Sequence, residues 1–108
     1  MLHRQFVIAT AIVDGAPVRL RHGSLVVAAR AEAQQIDWEA VLHAADGTLI
    51  FEGRYPVDLE CITGAELDGR LITARFDGHM FYVRQVEDAI VLRGDGPLGG
   101  FDLTMLAG

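Results

Sequence analysis

The sequence predicts an all-β fold, a single small antiparallel barrel of eight or nine strands, and three observations carry that expectation. Asp-Gly occurs five times, at Asp14-Gly15, Asp46-Gly47, Asp68-Gly69, Asp77-Gly78 and Asp95-Gly96, and this dipeptide supplies the positive backbone angles of tight hairpin turns. The segments between these dipeptides are rich in Val, Ile, Leu, Phe and Thr and have the length of strands. Several of them alternate apolar and polar residues with the period of two that marks a strand buried on one face.

In chain order the candidate strands are Gln5–Val13, Pro17–His22, Ile36–His43, Thr48–Gly53, Val57–Thr63, Arg70–Phe76, His79–Arg84, Ala89–Arg93 and Phe101–Met105. Five Asp-Gly turns suggest a meander. Ser24–Gln35 reads two ways, because Leu25-Val26-Val27 is strand-like while Ala28–Gln35 consists of good helix formers. A short helix near residues 28–35 therefore competes with a long hairpin. No repeat, low-complexity tract or linker interrupts the chain, so residues 1–108 are expected to form one domain. At 108 residues and 51% hydrophobic composition, a core can form without metal or disulfide staples.

Alternation also assigns faces. Ile36, Trp38, Ala40 and Leu42 share one side of their strand, with Asp37, Glu39 and His43 on the other. Val57, Leu59, Cys61 and Thr63 are in phase, opposite Asp58 and Glu60, which places Cys61 in the core. Gln5–Val13 differs, since Val7, Ala9, Ala11 and Val13 lie on one face and Phe6, Ile8 and Ile12 on the other. His79–Arg84 is similarly mixed. A strand apolar on both sides implies a second covering surface, and a homodimer is the expected source.

The charge balance excludes one class of partner. Nine basic against fifteen acidic residues leave a net charge of -6, and no basic group exceeds Arg19, Arg21 and His22, so no nucleic-acid partner is expected. Every basic residue is arginine and asparagine is absent, as a GC-rich bacterial genome would produce. The lone Cys61 permits no internal disulfide, so the cytoplasm is the expected compartment. Phe6–Val13 imitates the apolar part of a signal peptide but is short and runs into Asp14-Gly15. No apolar run approaches the roughly 18 residues of a membrane span, so no membrane partner is expected.

Candidate chemistry is sparse. His3, His22, His43 and His79 stand far apart without metal-ligand spacing, so neither a metal nor another cofactor is expected. Ser24, the only serine, is not in a nucleophile elbow, and a mid-strand Cys61 is ordinarily inert packing. No catalytic residue is assigned. The glycine-rich Arg93–Phe101 tail lacks the strand-to-helix context of a phosphate loop and reads as turn chemistry. Small barrels either fill their interior or hold one ligand. For the second case the candidate ligand-binding residues are Trp38, Phe51 and Phe81 on the inward phase, Tyr55 and Tyr82 at a pocket mouth, and His79 beside them. The plainer reading is core packing, with His79 at a hairpin rim.

The stretches Val7–Arg21, Ile36-Asp37-Trp38-Glu39 and Leu92–Pro97 resemble a small actinobacterial domain of unknown function found alone or attached to flavin-dependent monooxygenases. The resemblance covers about a third of the chain, and Ala28–Gln35 and Arg70–Tyr82 depart from it. It implies a compact β-barrel accessory to small-molecule metabolism and transfers no catalytic residue. The expected function is thus a small binding or accessory module for a hydrophobic small molecule. Two alternatives stand beside it: a cofactor-free barrel cyclase or isomerase of secondary metabolism with a dry pocket, and a phage or assembly component working through oligomerisation.

Overall fold

The computed structural model describes residues 2–29, 36–48 and 50–106. Its elements are β1 (Leu2–Val13), β2 (Ala16–Val18), β3 (Leu20–Ala29), β4 (Ile36–Ala44), β5 (Arg54–Ala65), β6 (Leu71–Val86) and β7 (Ala89–Gly94), followed by one 3-10 turn at Leu103–Leu106. All strand pairs are antiparallel. Six strands in the order β1-β3-β4-β7-β6-β5 close into a barrel through the β1–β5 pairing, and β2 is the extra strand, paired to the end of β1. Closure removes the long exposed edges that an open sheet of this size would carry. Because residues 45–53 return the chain from β4 to β5, beside β1, the order β5-β1-β3-β4 is a Greek key and not a meander. No helix among the described residues is long and apolar enough to cross a membrane.

Seven strands among the described residues replace the eight or nine expected. Arg70–Phe76 and His79–Arg84 are one strand, β6, because Asp77-Gly78 does not turn: Asp77 pairs with Asp58 and Gly78 with Val57. Asp14-Gly15, by contrast, forms the two-residue turn between β1 and β2, with φ of 53° and 77°. Asp68-Gly69 lies in the β5–β6 turn, whereas Asp46-Gly47 and Asp95-Gly96 lie in loops. Thr48–Gly53 forms no strand where described. Phe101–Met105 winds into the 3-10 turn because Asp102 caps it, its carboxylate accepting from Thr104 N–H at 2.9 Å and its carbonyl from Met105 N–H at 2.9 Å. The Thr104 N–H, with the Thr104 side chain, holds the Asp102 carboxyl below its ordinary value. Ala28 and Ala29 end β3 as strand residues; the remainder of the helix expected over residues 28–35 lies outside the described residues.

The apparent two-sidedness of β1 is a phase slip. Its register with β5 shifts between Ile8 and Thr10, so Ala9 is the extra residue of a β-bulge. Phe6 and Ile8 point inward before it, and Ala11 and Val13 after it. In β6 a second shift, between Tyr82 and Arg84, makes Val83 the extra residue. In β1, apolar residues on both phases thus serve one inner face, whereas on β6 Phe81 and Val83 remain exposed.

The interior is filled. Phe6, Leu25, Leu42, Leu59, Phe76, Met80, Ile90 and Leu92 are among its fully buried side chains, and Cys61 lies with them as the alternation predicts. The chain itself covers both ends. At one, Leu98 and Leu106 are buried, and Phe101 meets Phe6 and Phe76 edge-on at 6.3 and 5.8 Å between ring centroids. Arg4 fastens this end, donating to Met105 O at 2.8 Å and Thr63 O at 3.0 Å while its guanidinium lies 4.7 Å from the Phe6 ring centroid. At the other, Gln85 holds the 45–53 connection: its Nε2 donates to Thr48 O at 3.2 Å and its Oε1 accepts from Ile50 N–H at 3.4 Å.

Two stability predictions follow from this arrangement. Glu87, in the two-residue turn between β6 and β7, has a φ of 56°, which disfavours a side chain with a Cβ. Glu87→Gly is expected to raise stability by about 0.5–1 kcal/mol, and a lower denaturant midpoint would contradict this. Arg4→Ala should cost about 2 kcal/mol, because it leaves two carbonyls without their donor and uncovers Phe6; an unchanged midpoint counts against the fastening role.

Candidate functional site

The inward face of β4 carries Trp38 to the barrel end crossed by residues 95–106. The indole is 3% exposed, and its Nε1 donates to Gly96 O at 3.0 Å. Glycines make room for it. A Cβ on Gly94 would fall inside the indole ring atoms, and a Cβ on Gly78 would stand 3.0 Å from the indole edge and 2.8 Å from Pro97 O. Neither glycine has a positive φ, so both are small for the sake of close approach rather than backbone conformation.

Two open depressions flank this packing. One, of about 590 Å³, is lined by Val26, Ala28, Asp37, Trp38, Glu39, Arg93 and Gly94. Its neighbour, about 500 Å³, shares Asp37 and Gly94 and adds Ile36, Leu98, Phe101 and Leu103 beside the 95–97 backbone. Arg93 pairs with Glu39 at 3.4 Å across the β4–β7 ladder. Asp95 pairs with Arg54 at 2.6 Å, which leaves Asp37 as the carboxylate without an ion-pair partner here among the described residues.

The other residues singled out in the sequence do not join Trp38. Tyr55 donates its hydroxyl to Phe51 O at 2.6 Å, and both line a hollow of about 310 Å³ with Val13, Pro17, Val18 and Ile50 where the 45–53 connection crosses the barrel. Phe51 is 75% exposed there, not on an inward phase. Tyr82 is half-buried against the core, its backbone N–H donating to Gly53 O at 3.0 Å. His79 and Phe81 lie on the outer face, since the inward residues of β6 are Phe76 and Met80. His79 borders a groove with Arg54, Asp58, Asp77 and Asp95, and Phe81 sits between Arg54 and Arg93 on the neighbouring strands.

The six residues are thus divided among a packed barrel end, a hollow by the 45–53 connection and the outer surface. Asp37, Glu39, Arg93 and Gly94 were not singled out. The available signal is glycine at Gly94, the end of β7, and at Gly78, within β6, which marks the close approach of a bulky group.

No group of three or more His, Cys, Asp or Glu side chains among the described residues is gathered to hold a metal ion. Burial, with Glu60 nearby, pushes the Cys61 thiol up to about 12, so almost no thiolate is present at neutral pH. The Thr48 hydroxyl, bonded to Asp46, holds that carboxyl below its ordinary value within its own loop. Comparison with protein-family models, with curated proteins and with solved structures finds no match to this chain. A colorimetric thiol reagent at pH 8 should leave Cys61 unmodified until denaturant is added; rapid labelling of the folded protein would contradict the burial described.

Proposed function

We propose that the protein is a small β-barrel binding or accessory module whose ligand lies in the open depressions beside Trp38 and not in the barrel lumen. The observation that carries this reading is the contrast between a filled interior and two adjoining depressions that share Asp37 and Gly94. Apolar Val26, Ile36, Leu98, Phe101 and Leu103 meet Asp37, Glu39 and Arg93 there, a mixture suited to a small molecule with an apolar body and one polar or charged group. The reading agrees with the resemblance to an accessory domain of bacterial small-molecule metabolism, and the reduced, buried Cys61 suits a cytoplasmic setting. Cyclase or isomerase chemistry is less well supported, since it needs Trp38 and the tyrosines around one dry cavity.

A second reading, an assembly component acting through a homodimer or larger oligomer, draws on the same filled interior. It also draws on the exposed Leu67, Leu71 and Ile72 around the β5–β6 turn.

Titrating Trp38 fluorescence, with melting temperature and native mass, against apolar amines and carboxylic acids tests the first reading. A saturable response with a raised melting temperature is expected, weakened about two- to fivefold by Asp37→Ala for amines or Arg93→Ala for acids. Silence across the panel with a defined multimeric mass favours the second reading and overturns the first.

A further inference from the structure

Sequence spacing separates His22 and His43, but the barrel pairs them. They are direct cross-strand partners in the β3–β4 ladder, with ring centroids 5.9 Å apart and planes inclined by 39°. Both lie on the outer face of the ladder. From His22 to Ala29 the register is unbroken, with Gly23, Leu25 and Val27 buried and His22 and Val26 on the outer side, as His43 is on β4. The register shifts between Leu20 and His22, which makes Arg21 the extra residue of a bulge, so Arg21 and His22 both stand opposite His43.

A carboxylate stands behind the pair. Asp88, in the β6–β7 turn, has Oδ1 at 3.8 Å from His43 Nδ1, and its other oxygen forms an ion pair with Arg21. Its main-chain carbonyl accepts from Ala44 N–H at 3.0 Å, which ties the turn to the end of β4. A carboxylate facing one ring nitrogen of a histidine fixes the tautomer and presents the opposite nitrogen to a metal. Two imidazoles sharing one tetrahedral zinc at about 2.0–2.1 Å hold their donor atoms about 3.4 Å apart, with ring centroids about 5 Å apart. Closing from 5.9 Å needs only side-chain rotation of two solvent-reached residues.

We propose that His22 and His43 form a two-imidazole site for a borderline divalent cation of the zinc class, with Asp88 as positioning residue for His43 and water completing the coordination. Two donors suffice for such a chelate, so the site needs no third protein ligand and is independent of the depressions beside Trp38.

Calorimetric titration of zinc chloride into the full chain at pH 7.5 is expected to give one site per chain. His22→Gln and His43→Gln should each weaken it more than about tenfold, and Asp88→Asn by about tenfold through lost orientation of His43. His3→Gln and His79→Gln should leave it unchanged. A second readout needs no variant: cobalt(II) added to the unmodified protein should broaden the ring proton resonances of His22 and His43 before those of His3 and His79. The proposal is overturned by absent saturable binding, by binding that survives both His22→Gln and His43→Gln, or by broadening centred on His3 or His79.

Discussion

The indole of Trp38 occupies the volume in which Gly94 and Gly78 would otherwise carry side chains, and the barrel end depends on that substitution of one group for two. A six-strand barrel is narrow, and here the indole lies where a Cβ on Gly94 would stand and where a Cβ on Gly78 would touch it. With glycines at both positions the indole lies against β6 and β7, its N–H reaches Gly96 O, and the chain beyond β7 is directed across the barrel mouth. Leu98, Phe101 and Leu106 then complete the core. Asp77 and Gly99 form a reciprocal bridge, through Gly99 N–H to Asp77 O at 2.6 Å and Asp77 N–H to Gly99 O at 3.1 Å, so the crossing segment is paired to β6 as it leaves Trp38. One packing choice on β4 thereby determines where residues 95–106 run and where the open depressions form.

Bulges are the second organising device. They let long strands coil around a narrow barrel, and each inverts the inside–outside pattern downstream of it. In β1 the inversion keeps Ala11 and Val13 inward after the slip, and in β6 it brings Gln85 to the 45–53 connection. In β3 the slip at Arg21 lets Leu20 pack against the core ahead of Gly23, Leu25 and Val27, which leaves Arg21 and His22 side by side on the outer face opposite His43.

The all-β class was legible because strand-length apolar segments and Asp-Gly dipeptides are local signals. The faces of β4 and β5 were legible for the same reason: neither is interrupted by a bulge from Ile36 to Ala44 or from Val57 to Ile62, so Trp38 and Cys61 fall on the inner side as alternation predicts. What sequence could not supply was long-range. Asp77-Gly78 carries the same letters as a turn, and only the indole arriving from β4 explains its place within a strand. The inward phase expected for Phe81 fails because the same dipeptide reads as a boundary, which separates Phe81 from Phe76, the residue whose burial puts Met80 inward and Phe81 outward along one continuous strand. Pairing across strands likewise hid the His22–His43 meeting, since residues twenty-one positions apart show no metal-ligand spacing. Phe51 was read as part of a strand, whereas it lies in the connection that makes the topology a Greek key.

The central claim is that Gly94 is glycine because of Trp38 and for no backbone reason. A double-mutant cycle over Gly94→Ala and Trp38→Leu, measured by chemical denaturation, tests it most directly. Gly94→Ala alone should destabilise by about 3 kcal/mol through overpacking, yet cost less than about 1 kcal/mol once Trp38→Leu has removed the ring, a coupling of about 2 kcal/mol. Costs that simply add would show that the indole does not set the identity of residue 94, and the explanation of the barrel end would then be wrong.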